Sequence, residues 1–410
     1  MALLTSDMIL DQFLNRLESQ TAIMKMADGR FDKAWGDGPA KGRAVALRLP
    51  IYVTGRRGEE ADPQAVDERS VLLQIPDAFG ADTLITDSDL AMSLTDFDKQ
   101  YIQPSVERVA ADIANDACRA MFFGTHNFVG VPGTVPTSLD TYQDAQRLLT
   151  EGGAPLGLNS RAMLVDAAMD QKAAAAGRAL FNSVPQIKDQ YEQGNMGIFG
   201  GAKWSMEQHL YQFTVGVVAS STPRINGTIV PGTSVATDGW NSGATTINAG
   251  DKIQFETVFM VHPVNGRIYA DRMTFTQQVD VSDVAGAITL TLQPSLELAG
   301  PYRNISALPI NDAKVYVWGK TDTDLDAISG INGTAGILMH RSALVYASPE
   351  LELPQDVDRL SGRTRSERMN LSIRLWRASD IKSGQRITRF DILCGFLVPQ
   401  AQRSCLIASA

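Results

Sequence analysis

Apolar residues first recur at helical spacing at Ile9, Phe13, Leu14 and Leu17, behind Ser6, a residue suited to cap a helix N-terminus. This pattern predicts an amphipathic helix over 6–27. The stretch that follows, DGRFDKAWGDGPAKG, is too rich in glycine and charge for regular structure. A helix on such a tether is expected to act as an arm that reaches a neighbouring molecule. The period then changes to two: Val45, Leu47, Leu49, Ile51 and Val53 alternate as in a strand, and VLLQI (71–75) is suited to return beside it. Between the two lies the charged segment GRRGEEADPQAVDERS (55–70), far longer than the two to five residues of a tight hairpin loop. An isolated two-stranded ribbon is marginal in water, so this finger calls for a partner surface.

The longest helical pattern covers residues 97–122, interrupted only by Pro104 in its first part. It would span about 40 Å at 1.5 Å per residue. Placed at 100° steps, Val106, Val109, Ile113, Ala117, Ala120 and Met121 share one apolar arc. Arg108, Asp112, Asn115, Asp116 and Arg119 lie opposite, Glu107 points away from both aspartates, and Cys118 falls on the edge between the arcs. Beyond it, TSLDTYQDAQRLL and DQKAAAAGRALFN read as helices and RAMLVDAA as a buried strand, while MGIFGGAKWSMEQHL reads as a glycine-loosened connection.

From about 214 to 335 the pattern is that of strands: VGVVAS, DKIQFETVFMV, GRIYADRMTFTQQV, GAITLTLQP and AKVYVWG, separated by glycine turns. A small barrel or sandwich inserted into a host domain is expected there. ILMHRSALVYAS, MNLSIRLWRAS and RITRFDILCGFLV in the tail would complete the host. No period of 20–50 residues points to a solenoid or propeller.

The chain of 410 residues has room for two or three domains, and its 44% hydrophobic and 20% charged residues are globular in character. No apolar run approaches the roughly 20 residues of a membrane span, and the N-terminus lacks the basic flank and cleavage site of a signal peptide. A cytoplasmic site of synthesis is therefore expected. The net charge of −9 argues against a nucleic-acid reader, which needs a basic face. Cys118, Cys394 and Cys405 have no CxxC spacing, which suggests neither a disulfide framework nor a zinc site. The sequons at Asn226, Asn304, Asn332 and Asn370 are read as chance matches without secretion. His126, His209, His262 and His340 are scattered singly and read as surface or satisfied core residues.

Catalytic signatures are missing: there is no G-x-S-x-G elbow, H-E-x-x-H or phosphate loop, and GDGPAKG (36–42) precedes a strand instead of linking strand to helix. Asp322, Asp324 and Asp326 mimic the start of a calcium loop, but the glycine and closing glutamate are misplaced, so a solvated acidic loop is expected. On the long helix, Asp112 has Arg108 one turn back and Asp116 has Arg119 three residues on. A di-metal helix would instead aim its carboxylates inward, with a histidine three residues after a glutamate. The helix is read as a strut. No catalytic, cofactor-binding or metal residue is assigned, and no cofactor is expected.

Several stretches together resemble a known family: MALLTSDMILDQFLNRLESQTAI, VERVAADIANDACRAM, LNSRAMLVDAAMDQKAAAAGRALF, and INAGDKIQFETVFMVHPVNGRIYADRMTFTQQVDVSDVAGAITLTLQP followed by NISALPINDAKVYV. NAGDKIQF and AGAITLTLQP are the most specific parts. The order of pieces is similar to that of the major capsid proteins of tailed bacteriophages, in particular the podovirus coat-protein type with an inserted β-barrel I-domain. The resemblance implies an α+β Hong Kong 97-type capsid fold. By this analogy residues 1–42 form an N-terminal arm and 43–76 an E-loop β-hairpin. Residues 77–137 form a P-domain with its spine helix at 97–122, and 138–213 the first part of an A-domain. Residues 214–335 form the inserted β-barrel, and 336–410 return strands completing the A- and P-domains. The loop at 222–248 would reach an adjacent capsomer.

The implied function is self-assembly, without catalysis, into the icosahedral head shell around double-stranded DNA. The implied partners are copies of the chain itself as hexamers and pentamers, a separate scaffolding protein, a portal protein and decoration proteins; the DNA is enclosed without sequence-specific binding, and no membrane is involved. The implied location is the virion, with assembly in the host bacterial cytoplasm. Asp11 and Glu18 are the residues offered for scaffold contact, since the family's acidic run in the arm has no clear match here. About 42 residues precede the first strand, which leaves no room for a fused coiled-coil scaffold. The tip, 55–70, contains no lysine, so a shell held without isopeptide crosslinks is expected. Alternatives are an encapsulin-like nanocompartment shell with a protein cargo, a head-decoration or tail protein, which the long helix disfavours, and an enzyme with a β accessory domain.

Overall fold

The computed structural model describes residues 6–29, 44–53, 55, 58–59, 68–86, 98–155, 157, 160–177, 197–353, 361–366, 369–380 and 385–410. The chain forms two compact units: Met1–Leu47, Val71–Ala120 and Leu344–Leu397 make the first, and Arg48–Ser70, Met121–Ala343 and Val398–Ala410 the second. Among the described residues no helix is long and apolar enough to cross a membrane. Cys118, Cys394 and Cys405 are buried free thiols.

The first unit is built on an antiparallel sheet in the order Gly362–Arg365, Ser372–Asp380, Gln385–Ile392, Phe79–Thr86. Period-two alternation sends the pairs Ile373–Ile392 and Leu375–Phe390 to one buried face. Helix α1 (Ser6–Gln20) covers that face, burying Ile9, Leu10, Phe13, Leu14 and Leu17, and Phe13 stacks on Phe390 at 4.6 Å between centroids. Five such side chains contribute on the order of 10 kcal/mol of transfer free energy, an upper figure.

The short helix α2 (Ala22–Met26) follows, and the backbone of Asp28 then bonds Leu344 O (2.9 Å) and Tyr346 N (3.1 Å). Residues 6–29 thus pack within their own unit, where the sheet covers the apolar stripe. Glu18 is engaged there too, accepting a hydrogen bond from Ser366 Oγ. The tether at 30–43 lies outside the described residues.

The strand expected from Val45 to Val53 pairs only as Ala44–Arg48 with Ser70–Gln74, closed by Leu49 N–H to Arg69 O at 2.8 Å. Its base has a small core of Leu47, Leu73, Ile75, Val345 and Ala347, whereas Ile51 and Val53 are exposed.

The long helix α3 is Gln103–Gly124, preceded by a π-helical turn at Asp98–Ile102. Pro104 sits in the first α turn, where its missing N–H costs nothing, and the wider turn ahead of it carries the chain in. Val106, Val109, Ile113, Ala117 and Met121 are buried as the wheel predicts, and the buried arc also takes in Ala110, Ala114 and Cys118. Cys118 is thus fully inside, one step deeper than the arc edge expected for it.

In the second unit a mixed sheet runs Phe128–Gly130, Ser404–Ser409, Asn332–His340, Arg161–Val165, Ala202–Met206, Ile198–Phe199, with Gln212–Thr214 also paired to Asn332–His340. Helices α4 (Leu139–Glu151, capped by Ser138 Oγ accepting from Asp140 N) and α5 (Ala167–Gly177) pack on it through Tyr142, Leu149, Met169 and Trp204. The segment expected as a loose connection at 196–210 contains a hairpin. Gly200 and Gly201 both have positive φ (57° and 85°), the conformation a two-residue hairpin turn demands.

A second, antiparallel sheet orders Val315–Val317, Lys252–Val261, Ile268–Gln277, Ile288–Leu296, Gly232–Asp238, Arg224–Ile225. VGVVAS, expected as a strand, is not one. After Val215, whose N–H goes to Ile331 O, its amides go to side chains instead: Gly216 N to Asp251, Val217 N to Thr246, Val218 N and Ala219 N to Ser329 Oγ, and Ser220 N to Asp326, at 2.7–3.1 Å.

Candidate functional site

The helix carboxylates stand apart from one another chemically. Arg108 Nη2 meets Asp112 at 2.9 Å, Gln103 Nε2 donates to Glu107 at 2.9 Å, and Asp116 is raised by burial against the pull of Arg119. Asp322 accepts from Arg224 (2.7 Å) and lies 3.0 Å from Lys314 Nζ, while Asp326 accepts from Ser220 N. These aspartates serve as fasteners between loops. Of the histidines, His340 Nδ1 contacts Ser342 and His262 Nδ1 accepts from the turn amides of Val264 and Asn265.

A dense buried polar group lies where sequence reasoning saw no site, at Asp251 and Lys252. The turn Asn248–Asp251 leads into the Lys252–Val261 strand, and Gly250 holds φ +96° with Phe122 Cε1 2.3 Å from where a Cβ would stand. Asp251 accepts from Trp318 Nε1 (3.0 Å), Asn248 N (2.9 Å) and Gly216 N (3.1 Å). Burial pushes its carboxyl up to about 6, with those donors and Lys252 opposing.

Lys252 is fully buried, and its Nζ donates to Phe122 O (2.9 Å), Thr125 O (2.6 Å) and Thr276 Oγ1 (3.0 Å). The ammonium therefore sits on the C-terminal carbonyls of α3, where a cation is favoured by the helix dipole. Burial draws it down to about 7, against the pull of Asp251. His126, beside the same node, is drawn down to about 3 by burial and by Lys252, and its Nδ1 has no hydrogen-bond partner among the described residues. Phe122, Phe213 and Trp318 stack over the node, with Phe213 and Trp318 4.9 Å apart. All three ammonium protons are committed to oxygens, so the arrangement acts as a tie and offers no free nucleophile. The one signal in the sequence was an Asp-Lys pair at the head of the strand Lys252–Val261.

No family model and no curated protein matches the chain. Among solved structures, one of Mycobacterium phage Che8 is 12% identical over 95% of this chain and 91% of that one, with a TM-score of 0.48. The capsid structure of the cyanophage P-SCSP1u is 9% identical over 90% and 84% (TM-score 0.42). A virus-like particle from Pyrococcus furiosus is 7% identical over 98% of both chains (TM-score 0.42). The chain is similar to phage capsid structures.

Proposed function

We propose that this chain is the major capsid protein of a tailed phage, a non-catalytic subunit that self-assembles into an icosahedral head shell. The observation that carries the reading is the hairpin of Ala44–Arg48 and Ser70–Gln74. Its base is buried in its own small core, while the limb beyond carries exposed Ile51 and Val53 out to a charged segment. Such an extension finds a full cover only on another molecule, and symmetric copies of one chain supply it repeatedly. In this reading the fold is the Hong Kong 97 type, with the hairpin as E-loop, α3 as spine and the sheet of residues 224–317 as part of the inserted domain. The domain boundaries set out above, a separate scaffolding protein, portal and decoration partners, and assembly in the host cytoplasm belong to the same proposal. A net charge of −9 suits a wall along which packaged DNA slides without sticking.

Electron microscopy of the purified full-length chain, expressed with its neighbouring phage genes, tests the reading: closed icosahedral particles are expected, and a chain that remains monomeric refutes it. The nanocompartment alternative is the weaker one, and the nucleic-acid content of particles from infected cells separates the two. Denaturing electrophoresis should give a single subunit band, and a ladder would overturn the non-covalent shell.

A further inference from the structure

The segment 48–70 is held in the second unit by two side chains that converge on one ring. On the outgoing limb Tyr52 packs edge-on against Tyr302, with centroids 5.4 Å apart and planes at 82°. On the returning limb the Arg69 guanidinium lies 3.9 Å over the centroid of the same ring. Arg69 also grips Glu297 with both arms of its fork, Nη1 to Oε1 at 2.7 Å and Nη2 to Oε2 at 3.1 Å. Bidentate geometry of this kind fixes orientation as well as distance.

The receiving residues are themselves braced. Ser295 Oγ donates to Glu297 Oε1 (2.9 Å), Glu297 N donates to Asn304 Oδ1 (3.0 Å), and Asn304 Nδ2 returns to Ser295 O (2.7 Å). The Tyr52 hydroxyl accepts from Gln402 Nε2 at 3.0 Å. Both limbs are therefore seated on a rigid turn, although a two-stranded ribbon has little stiffness of its own.

We propose that Arg69, seated on Glu297 and Tyr302, is a positioning residue for assembly: with Tyr52 it anchors both limbs of the hairpin's extension on the second unit, and contact with a neighbouring copy depends on that anchorage. The proposal rests on the shell reading above. Arg69 and Glu297 are partly exposed, so the clamp adds little to subunit stability.

The test uses the full-length chain assembled as for the wild type, read by electron microscopy and sedimentation, with thermal melting of unassembled subunits alongside. Arg69→Ala is expected to melt within about 3 °C of wild type. It should give at least tenfold fewer closed shells, with open sheets or mixed sizes in their place. Arg69→Lys, which keeps the charge but loses the fork, should fall between. Arg69→Glu combined with Glu297→Arg should recover closed shells relative to Arg69→Glu alone. Closed shells of wild-type size and yield from Arg69→Ala overturn the proposal. Should Arg69→Ala unfold, Glu297→Gln decides: malformed shells from a folded subunit support the clamp, and normal shells overturn it. A wild-type chain that forms no shell at all removes the shell reading and this proposal with it, an outcome distinct from normal shells in the variants.

Discussion

Replacing Lys252 by methionine keeps the length and most of the apolar stem of the side chain while removing three donors from a fully buried site. Phe122 O loses its ammonium at the end of α3, whereas Thr125 O keeps the hydroxyl of Thr276 at 3.2 Å. One orphaned acceptor costs about 1–3 kcal/mol. Relief of the buried ammonium's desolvation offsets part of this, and Asp251 retains its three neutral donors. The expected net loss is about 1–2 kcal/mol near neutral pH.

The loss should grow with pH. The Lys252 ammonium is drawn down to about 7 from an ordinary 10.5, so above pH 7 the unfolded chain holds a proton that the folded chain has shed. The wild type gains stability through that window and the variant cannot. Asp251 is raised to about 6, so the folded chain holds the extra proton as pH falls below that value. Without the neighbouring ammonium its carboxyl should rise further, which again favours the variant at low pH and penalises it at high pH. Urea unfolding followed by circular dichroism at pH 5, 7.5 and 9 measures the differences. A variant as stable as the wild type at all three values would refute the view of Lys252 as a tie and make its ammonium a net burden.

Three further outcomes are expected. Gly250→Ala places a methyl 2.3 Å from Phe122 Cε1 at a φ of +96°, and the midpoint of urea unfolding should fall by the equivalent of about 3 kcal/mol. His126 is held neutral down to about 3, so the unfolded chain takes up a proton that the folded one refuses, and stability is lost as pH falls from 6.5 towards 3; His126→Leu should lack that one-proton slope when the two unfolding curves are subtracted. Excising 217–329 and bridging the ends with a short Gly-Ser linker should lower the melting temperature of what remains by at least about 10 °C, because the excised part carries Lys252 and Trp318.

Helix α3 was legible because its apolar arc is continuous and its acids have arginines at pairing distance, information contained in local spacing. Even there the buried arc proved wider, taking in Ala110, Ala114 and Cys118, since small residues let a neighbour approach where a wheel assigns no preference. The stripe of α1 was equally visible, but its cover was not. Phe13 rests on Phe390, a partner hundreds of residues away, and a period of 3.6 says only that some surface must meet the stripe. VGVVAS failed for the opposite reason: its β-branched residues fit a strand, yet serine, threonine and aspartate side chains take its amides before any ladder can form. The Asp251–Lys252 node was hidden because charged residues are usually placed outside, and only the distant carbonyls of α3 make the burial tolerable.

Residues 215–331 are closed off by the backbone at one point and tied in by their side chains. The chain enters and leaves residues 215–331 at one place: Thr214 pairs with Asn332, Val215 N donates to Ile331 O at 2.9 Å, and Gly330 N to Gly216 O at 3.1 Å. Closing that gap needs only a few residues, so backbone geometry alone would allow the segment to be gained or lost. The side chains oppose it. Lys252 supplies donors to the last carbonyls of α3, Asp251 takes the amide of Gly216 at the point of entry, and Trp318 stacks on Phe213 from outside the segment. A helix end and a strand end are each completed by residues from within 215–331, which explains why this region and the mixed sheet form one compact unit instead of two.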